Sequence, residues 1–393
     1  MSKHIPYGKH YIDEDDIKSV VEVLKYKNLT QGDEVDSFER EVAKYVGAKY
    51  AVAMSSWTAG LHLANIALGI KKGDKVITSP ITFVASSNSV IYCGAKPVFT
   101  DIDSDTINIC PEKLEETLNN NSDIKAIIPV HYGGVPCDME SISSIAKKYN
   151  ISIIEDAAHA LGARYSDGTK VGSCKYSAMT GFSFHPVKSI AAGEGGMITT
   201  NDEKIYKKLI RLRSHGINKL DDSFINIKQS KSNGLSNPWY YEMQELGYNY
   251  RITDFQSALG KSQLKKLNLF INRRNDLVKR YDKSFYEMKY LNTIQNEFRA
   301  NSSHHLYVVK INFKKIKMSR AELMIKLREF GIITQVHYIP VTHHPFYKKL
   351  GYSSQNLTNS LNFYDMCLTL PLYYSLKDDE QDYIIEKLLK LIG

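Results

Sequence analysis

The sequence is short of features that would place it in several large functional classes. It has no run of about 18 consecutive apolar residues, so no membrane-spanning helix is expected. Its five cysteines, Cys93, Cys110, Cys137, Cys174 and Cys367, contain no C-x-x-C pair, so neither a zinc site nor a disulfide framework is expected. His304 and His305 are adjacent, as are His343 and His344, without a carboxylate or thiol at ligand spacing, and no metal is expected. Gly193-Glu-Gly-Gly196 lacks the G-x-G-x-x-G spacing, which leaves a dinucleotide cofactor unsupported. The net charge of +8 is spread along lysine-rich segments rather than gathered in a block, so no nucleic-acid surface is expected. A mild positive bias still suits a small anionic substrate. Met1 to Gly8 carries no apolar stretch behind its basic residue, so the cytoplasm is the expected location. There is no internal repeat and no low-complexity tract.

What is present is enough apolar material for a large core: 43% of the 393 residues are hydrophobic and 24% are charged. Short apolar runs at Tyr50 to Met54, Lys75 to Thr78, Pro97 to Thr100, Lys125 to Val130, Ile151 to Ile154, Thr180 to Phe184 and Met197 to Thr200 read as buried strands. Segments of helical spacing lie between several of them, at Thr58 to Leu68, Val84 to Tyr92, Pro111 to Leu118 and Met139 to Tyr149. This alternation predicts an α/β domain with a mostly parallel sheet covered on both faces, whose ligands gather beyond the strand ends.

The character of the chain changes after about residue 215. Leu220 to Asn237 is polar and reads as a surface loop. Helices are predicted over Ile252 to Leu267, Leu269 to Met288, Ala321 to Phe330 and Asp378 to Leu391, with Ser319 and Glu322 forming a capping box. Strands are predicted at His305 to Phe313 and Ile332 to Tyr338. The division expected is a large α/β domain over residues 1–250 and a smaller α+β domain over residues 251–393.

Two motifs carry chemistry. Thr180 to Gly196 places one lysine, Lys188, in a small-residue loop between two apolar runs, downstream of the acidic strand end Glu155-Asp156. Enzymes that use pyridoxal phosphate need this pair: a lysine to tether the cofactor as a Schiff base, and a carboxylate to face the protonated ring nitrogen. Lys188 and Asp156 are the expected catalytic residues.

Asp156-Ala-Ala-His-Ala-Leu-Gly162, Phe182-Ser-Phe-His-Pro-Val-Lys188 with Gly193-Glu-Gly-Gly196, Pro80-Ile-Thr-Phe-Val-Ala85, Gly94-Ala-Lys-Pro-Val98 and Leu246-Gly-Tyr-Asn-Tyr-Arg-Ile-Thr-Asp254 together resemble the DegT/DnrJ/StrS family of nucleotide-sugar aminotransferases. The likeness runs from about residue 6 to the C-terminus. It implies the fold-type I aminotransferase architecture, pyridoxal 5'-phosphate as cofactor, and a homodimer with active sites at the subunit interface. It also assigns expectations to single residues. Phe83 would stack on the pyridine ring, and Ser183, Thr58 and Ala59 would cradle the phosphate at a helix start. His159 would sit near the phenolic oxygen or serve as a structural hydrogen-bonding histidine. Asn249 would reach the partner's phosphate, or be a turn residue, and Arg251 would serve the same phosphate or pin the loop. Many members have glycine where this chain has Trp57, so the shape of the phosphate loop is the point of departure.

Within the family, the lysine region together with His131 to Met139 and Gly331 to Pro340 resembles the branch that works in pseudaminic acid biosynthesis. That branch moves the amino group of L-glutamate to C4 of UDP-2-acetamido-2,6-dideoxy-β-L-arabino-hexos-4-ulose. The product would be UDP-4-amino-4,6-dideoxy-N-acetyl-β-L-altrosamine. Tyr132, His185, His337 and Tyr338 are the candidates for holding the sugar, or are satisfied structural groups. Rival readings are amination of UDP-4-keto-L-arabinose or of a UDP-4-keto-6-deoxy-D-sugar. A sugar dehydratase on the same scaffold replaces the lysine with histidine, and a non-catalytic relative would lose Lys188 or Asp156; both residues are present.

Overall fold

The computed structural model describes residues 4–219, 224–294 and 297–393. Helices α1 (Glu14–Tyr26) and α2 (Asp33–Val46) lead into an alternation of β1 (Tyr50–Met54), α3 (Trp57–Ala67), β2 (Lys75–Thr78), α4 (Ala85–Tyr92), β3 (Lys96–Phe99), α5 (Pro111–Asn119), β4 (Ile124–Ile128), α6 (Met139–Lys148), β5 (Ser152–Asp156), β6 (Met179–Ser183), β7 (Gly196–Thr200) and α7 (Glu203–Arg213). The seven strands form one sheet in the order β1-β7-β6-β5-β4-β2-β3. Only β7 runs against the others, pairing antiparallel with both β6 and β1.

The sheet is buried on both faces because successive strand residues are apolar in both directions. Ala51, Ala53, Ile77, Ile127, Ile153 and Phe182 pack with Val35, Phe38 and Val42 of α2, Leu114 of α5 and Ile142 of α6. Their strand neighbours Val52, Met54, Val76, Ile128, Ile154 and Met179 pack with Leu61 and Leu63 of α3, Val90 of α4 and Leu209 of α7. Each fully buried Ile, Leu or Phe contributes about 1.5–3 kcal/mol. The sheet is therefore the rigid platform from which the strand-end loops project.

A 31-residue helix, Asp254–Ser284, follows where two were expected. Thr253 caps it reciprocally with Gln256. Its first half joins the sheet's core through Leu264, Leu267 and Phe270, and its second half joins a separate core through Leu277, Val278 and Tyr281. That second core lies against a three-stranded antiparallel sheet, Leu291–Thr293, Tyr307–Ile311 and Cys367–Leu370. Helices Arg320–Glu329 and Asp378–Ile392 complete this part. The capping box at Ser319 and Glu322 is present, with reciprocal bonds of 2.7 and 3.2 Å.

The strand expected at Ile332 to Tyr338 is not formed. The segment bridges Ile5 at Ile332 and Thr369 at Gln335, two different partners, so no ladder is built. It then turns to carry His337 and Tyr338 toward the strand ends of the large sheet. The polar segment after residue 219 begins outside the described residues, at Leu220, Asp221, Asp222 and Ser223. From residue 224 it contains a short helix, Ile227–Ser230, and a two-residue hairpin pairing Lys231–Ser232 with Leu235–Ser236. Among the described residues no helix is long and apolar enough to cross a membrane.

Candidate active site

Three chain reversals at the carboxyl end of the sheet meet in one place. β5 ends on Asp156, β6 ends on Ser183 and leads into the loop that holds Lys188, and β1 leads through Ser55 and Ser56 into α3. The parallel register sets Asp156 beside Gly181. Position at a strand end is what frees these side chains from the packed sheet.

Asp156 is 4% exposed, and both of its oxygens accept hydrogen bonds. Its Oδ1 accepts from the indole Nε1 of Trp57 at 2.7 Å and from the backbone N–H of Ala158 at 3.2 Å. Its Oδ2 accepts from the hydroxyl of Ser86 at 2.6 Å. Sequence reasoning missed both side-chain donors. Ser86 follows Phe83 by three residues in the small polar run Ala85-Ser-Ser-Asn-Ser89, which was the available signal.

Lys188 is half-buried, and its backbone N–H donates to the carbonyl of His185 at 2.9 Å, closing a turn. Burial pulls its ammonium down from 10.5 to about 8, with the negative charge of Asp156 opposing that shift. An amine so placed is substantially neutral, and nucleophilic, at pH values where an exposed lysine is charged. The same shift gives a stability prediction for the cofactor-free protein. Between about pH 8 and 10.5 the unfolded chain holds the Lys188 proton more firmly than the folded chain does. The penalty of burying the charge is fully present below that window and fades as pH rises through it. Melting profiles of the cofactor-free protein and its Lys188→Met variant should therefore converge as the pH is raised; parallel profiles would refute the shift.

Three neutral histidines line the side toward the smaller part of the chain. His159 Nδ1 accepts from the backbone N–H of Gly133 at 3.3 Å, which leaves Nε2–H to donate to the Tyr338 hydroxyl at 3.1 Å. Burial, then the charges of Lys188 and His337, hold His159 well below the usual range. Burial lowers His337 to about 3, with Lys188 adding to it, and its Nδ1 meets Thr369 Oγ1 at 2.9 Å. His305 lies 4.4 Å from His159, centroid to centroid, and its buried Nδ1 has no partner among the described residues. Burial raises the Tyr338 hydroxyl far above its usual value. Tyr132 is buried and donates its hydroxyl to the carbonyl of His337, so it braces this segment. His185 is exposed at the rim, where its backbone N–H reaches Ser183 Oγ at 3.4 Å.

Beneath this layer, Glu155 is completely buried and accepts from His131, Tyr165, Ser177 and Thr180. Burial pushes its carboxyl up, but the donors led by His131 outweigh burial and hold it low. The effect is to lock the end of β5 that presents Asp156.

The residues present fit pyridoxal phosphate. Phe83 is 61% exposed beside Tyr338, an apolar face open for a planar ring. At the start of α3, Ser56 Oγ caps the backbone N–H of Ala59 at 3.1 Å, and the Ser56 carbonyl takes that of Gly60. Ala59, one of the expected phosphate donors, is thus already occupied. The free N–H groups are those of Trp57 and Thr58, which suit an anion at a helix N-terminus. Gly196 lets β7 press against this turn, since a Cβ there would lie 2.5 Å from the Trp57 nitrogen. The carbonyl of Tyr250 accepts from the Ser55 N–H at 2.8 Å, which brings the backbone of Asn249 and Arg251 alongside. Among the described residues neither of those two side chains has a hydrogen-bond partner, which leaves both available to a ligand or a second subunit.

Comparison with known proteins agrees with this geometry. Residues 10–389 match the model of the DegT/DnrJ/EryC1/StrS aminotransferase family. The chain is 41% identical over 390 residues to the spore coat polysaccharide biosynthesis protein SpsC of Bacillus subtilis, covering 99% of this chain and 97% of that protein. It is 40% identical over 389 residues to the UDP-4-amino-4,6-dideoxy-N-acetyl-β-L-altrosamine transaminase of Campylobacter jejuni, with 99% and 97% covered. Its fold is similar to that of Helicobacter pylori PseC, an aminotransferase of pseudaminic acid biosynthesis, at a TM-score of 0.89 and 32% identity over 99% of both chains.

Proposed function

Because the chain belongs to the DegT/DnrJ/EryC1/StrS aminotransferase family and is a pyridoxal-phosphate-dependent sugar aminotransferase, we propose that it aminates C4 of a UDP-4-keto sugar in pseudaminic acid biosynthesis. The acceptor in this reading is UDP-2-acetamido-2,6-dideoxy-β-L-arabino-hexos-4-ulose and the donor is L-glutamate. The products are UDP-4-amino-4,6-dideoxy-N-acetyl-β-L-altrosamine and 2-oxoglutarate. Support comes from the Campylobacter relative's activity at 40% identity and from the fold of the Helicobacter protein. The same reading places the enzyme in the cytoplasm.

Lys188 holds the cofactor through its Nζ in this reading, and Asp156 faces the ring nitrogen. When bound, pyridoxal phosphate supplies the electron sink that acidifies the carbon bearing the amino group. Lys188, with a neutral Nζ, would carry that proton between the substrate carbon and the carbon on the far side of the nitrogen being transferred. Its lowered affinity for protons makes the transfer reversible near neutrality. Phe83 would offer its ring face to the cofactor, the N–H groups of Trp57 and Thr58 with the Ser183 hydroxyl would take the phosphate, and His159 with Tyr338 forms the polar wall. The sugar is held by that wall and by His337 and His185, so Lys188 delivers its proton to one face of C4.

A second reading has a specific observation behind it. SpsC, at 41% identity, is named for spore coat polysaccharide rather than for pseudaminic acid. A different 4-keto sugar would then be the acceptor, with the same residues at work. The test is a panel of UDP-4-keto sugars with L-glutamate, scored for 2-oxoglutarate and for the C4 configuration of the product. Preference for the L-arabino acceptor upholds the first reading, and preference for another moves the pathway and keeps the chemistry.

The reading includes a homodimer in which Asn249 completes the partner's site. The apolar side chains Ile225, Leu235, Trp239, Met243 and Leu246, all more than half exposed just ahead of Asn249, favour coverage by a second copy. Mixing Lys188→Ala and Asn249→Ala subunits should give hybrids in which one site has both residues intact. Activity should rise above that of either parent on mixing. Activity no higher than the average of the parents would place Asn249 in its own subunit's site or in none.

A further inference from the structure

We propose that Trp57 is a positioning residue for amino transfer, whose indole N–H fixes the orientation of the Asp156 carboxylate. The proposal rests on the reading of Asp156 as the partner of the cofactor's ring nitrogen. Three observations carry it. The first is the bond itself: Trp57 Nε1 to Asp156 Oδ1 is 2.7 Å, short for an N–H donor and typical of a charge-assisted bond. Trp57 is 5% exposed and Asp156 is 4% exposed, so water does not compete for either end.

The second is the space that the indole occupies. Gly181 stands in register beside Asp156, and a Cβ on Gly181 would lie 1.7 Å from Cη2 of Trp57. Gly60 is similar, with a Cβ meeting Cε3 at 2.6 Å. The ring thus fills the place of an absent side chain on the neighbouring strand, which is how a residue in the first turn of α3 reaches the end of β5. Three elements agree on this one contact, which a mere filler of the core would not require.

The third is the division of labour on the carboxylate. Trp57 engages Oδ1 while Ser86 engages Oδ2 at 2.6 Å. The Ser86 oxygen is 2.8 Å from Thr82 Oγ1, and its longer contact to the Phe83 carbonyl is 3.4 Å. With its single proton on Asp156, Ser86 accepts from Thr82, giving a relay that ends on the carboxylate. One side-chain donor on each oxygen, with the Ala158 N–H as a second on Oδ1, removes rotation about the Cβ–Cγ bond and leaves a lone pair on Oδ2 for a further donor.

The test uses the loaded enzyme with cofactor labelled with 15N at the ring nitrogen, comparing wild type with Trp57→Phe. Phenylalanine fills most of the space and donates nothing. The ring-nitrogen resonance should move toward that of an unprotonated pyridine, and kcat with L-glutamate should fall on the order of tenfold. In an Asp156→Asn background the same substitution should change neither quantity further. An unchanged resonance in Trp57→Phe, together with a large change in Asp156→Asn, would reduce Trp57 to packing and overturn the proposal alone. An unchanged resonance in Asp156→Asn would overturn the role of Asp156 itself. If Trp57→Phe fails to fold, incorporating benzothienylalanine at position 57 keeps the ring shape and removes only the N–H, and the same shift is expected.

Discussion

Lys188→Ala is expected to abolish amino transfer to every keto sugar tested, with a fall of roughly 10²- to 10⁴-fold from the loss of the positioned acid–base alone. Lys188 is half-buried in a turn closed by its own backbone bond to His185, which fixes the point from which its side chain projects. Burial brings it to about 8, so the free amine is abundant without losing its capacity to carry a proton. No other lysine in the described residues has that combination; Lys170, also lowered by burial, donates to the carbonyl of Tyr45 at 2.7 Å, far from the strand ends. Lys188→Arg should fail as completely, because a guanidinium keeps the charge and cannot form the covalent link. Borohydride treatment of the wild-type protein with its cofactor should fix the label on the peptide spanning residues 180–196, and both variants should remain unlabelled there. Turnover by either variant at the wild-type rate would end the mechanism.

Much of the large sheet was legible because each strand is a short continuous apolar run closed by turn residues. All seven are found within two residues of the runs that announce them. Nonlocal contacts account for what was not legible. The helix expected to break at Asn268 is continuous, since Asn268 faces outward and accepts from the Tyr45 hydroxyl at 3.0 Å. Its two halves serve different cores, and the change of apolar face read as an end. The segment from Ile332 has the composition of a strand, yet its partners are Ile5 and Thr369, far apart in sequence. The same holds for the site. Lys188 and Asp156 are expected from residue type and motif, and the fold places the elements that carry them side by side. The reach of Trp57 to Asp156 depends on the hole at Gly181, and that hole is set by the register of two strands. Tyr132, a candidate to hold the sugar by its place in a motif, spends its hydroxyl on the His337 carbonyl. A local pattern marks which residues can do chemistry, and the register decides which of them still have a free hydrogen-bonding group.

Asp156→Asn should leave the fold intact and lower kcat by about 10²- to 10³-fold, the size expected when one partner of a buried charge pair is removed. The shape of the side chain is kept, so β5 and its pairing with Gly181 have no reason to change. What changes is the demand on the donors. The carboxylate takes Trp57, Ser86 and Ala158 as donors and still offers lone pairs to a protonated ring nitrogen. An asparagine amide presents one oxygen and two N–H groups, so one of Trp57 Nε1 or Ser86 Oγ faces a donor instead of an acceptor. On the proposed roles of Lys188 and the start of α3, cofactor affinity should fall less than turnover, because the substitution touches neither. Asp156→Ala differs in an informative way. It strands two buried donors at about 1–3 kcal/mol each, so it should lower the melting temperature of the cofactor-free protein where Asp156→Asn does not. The pair therefore separates the structural burden of Asp156 from its chemical one. Steady-state kinetics with L-glutamate and a melting curve for each variant decide the matter: wild-type kcat in Asp156→Asn would remove the carboxylate from the reaction, whatever the melting curves show.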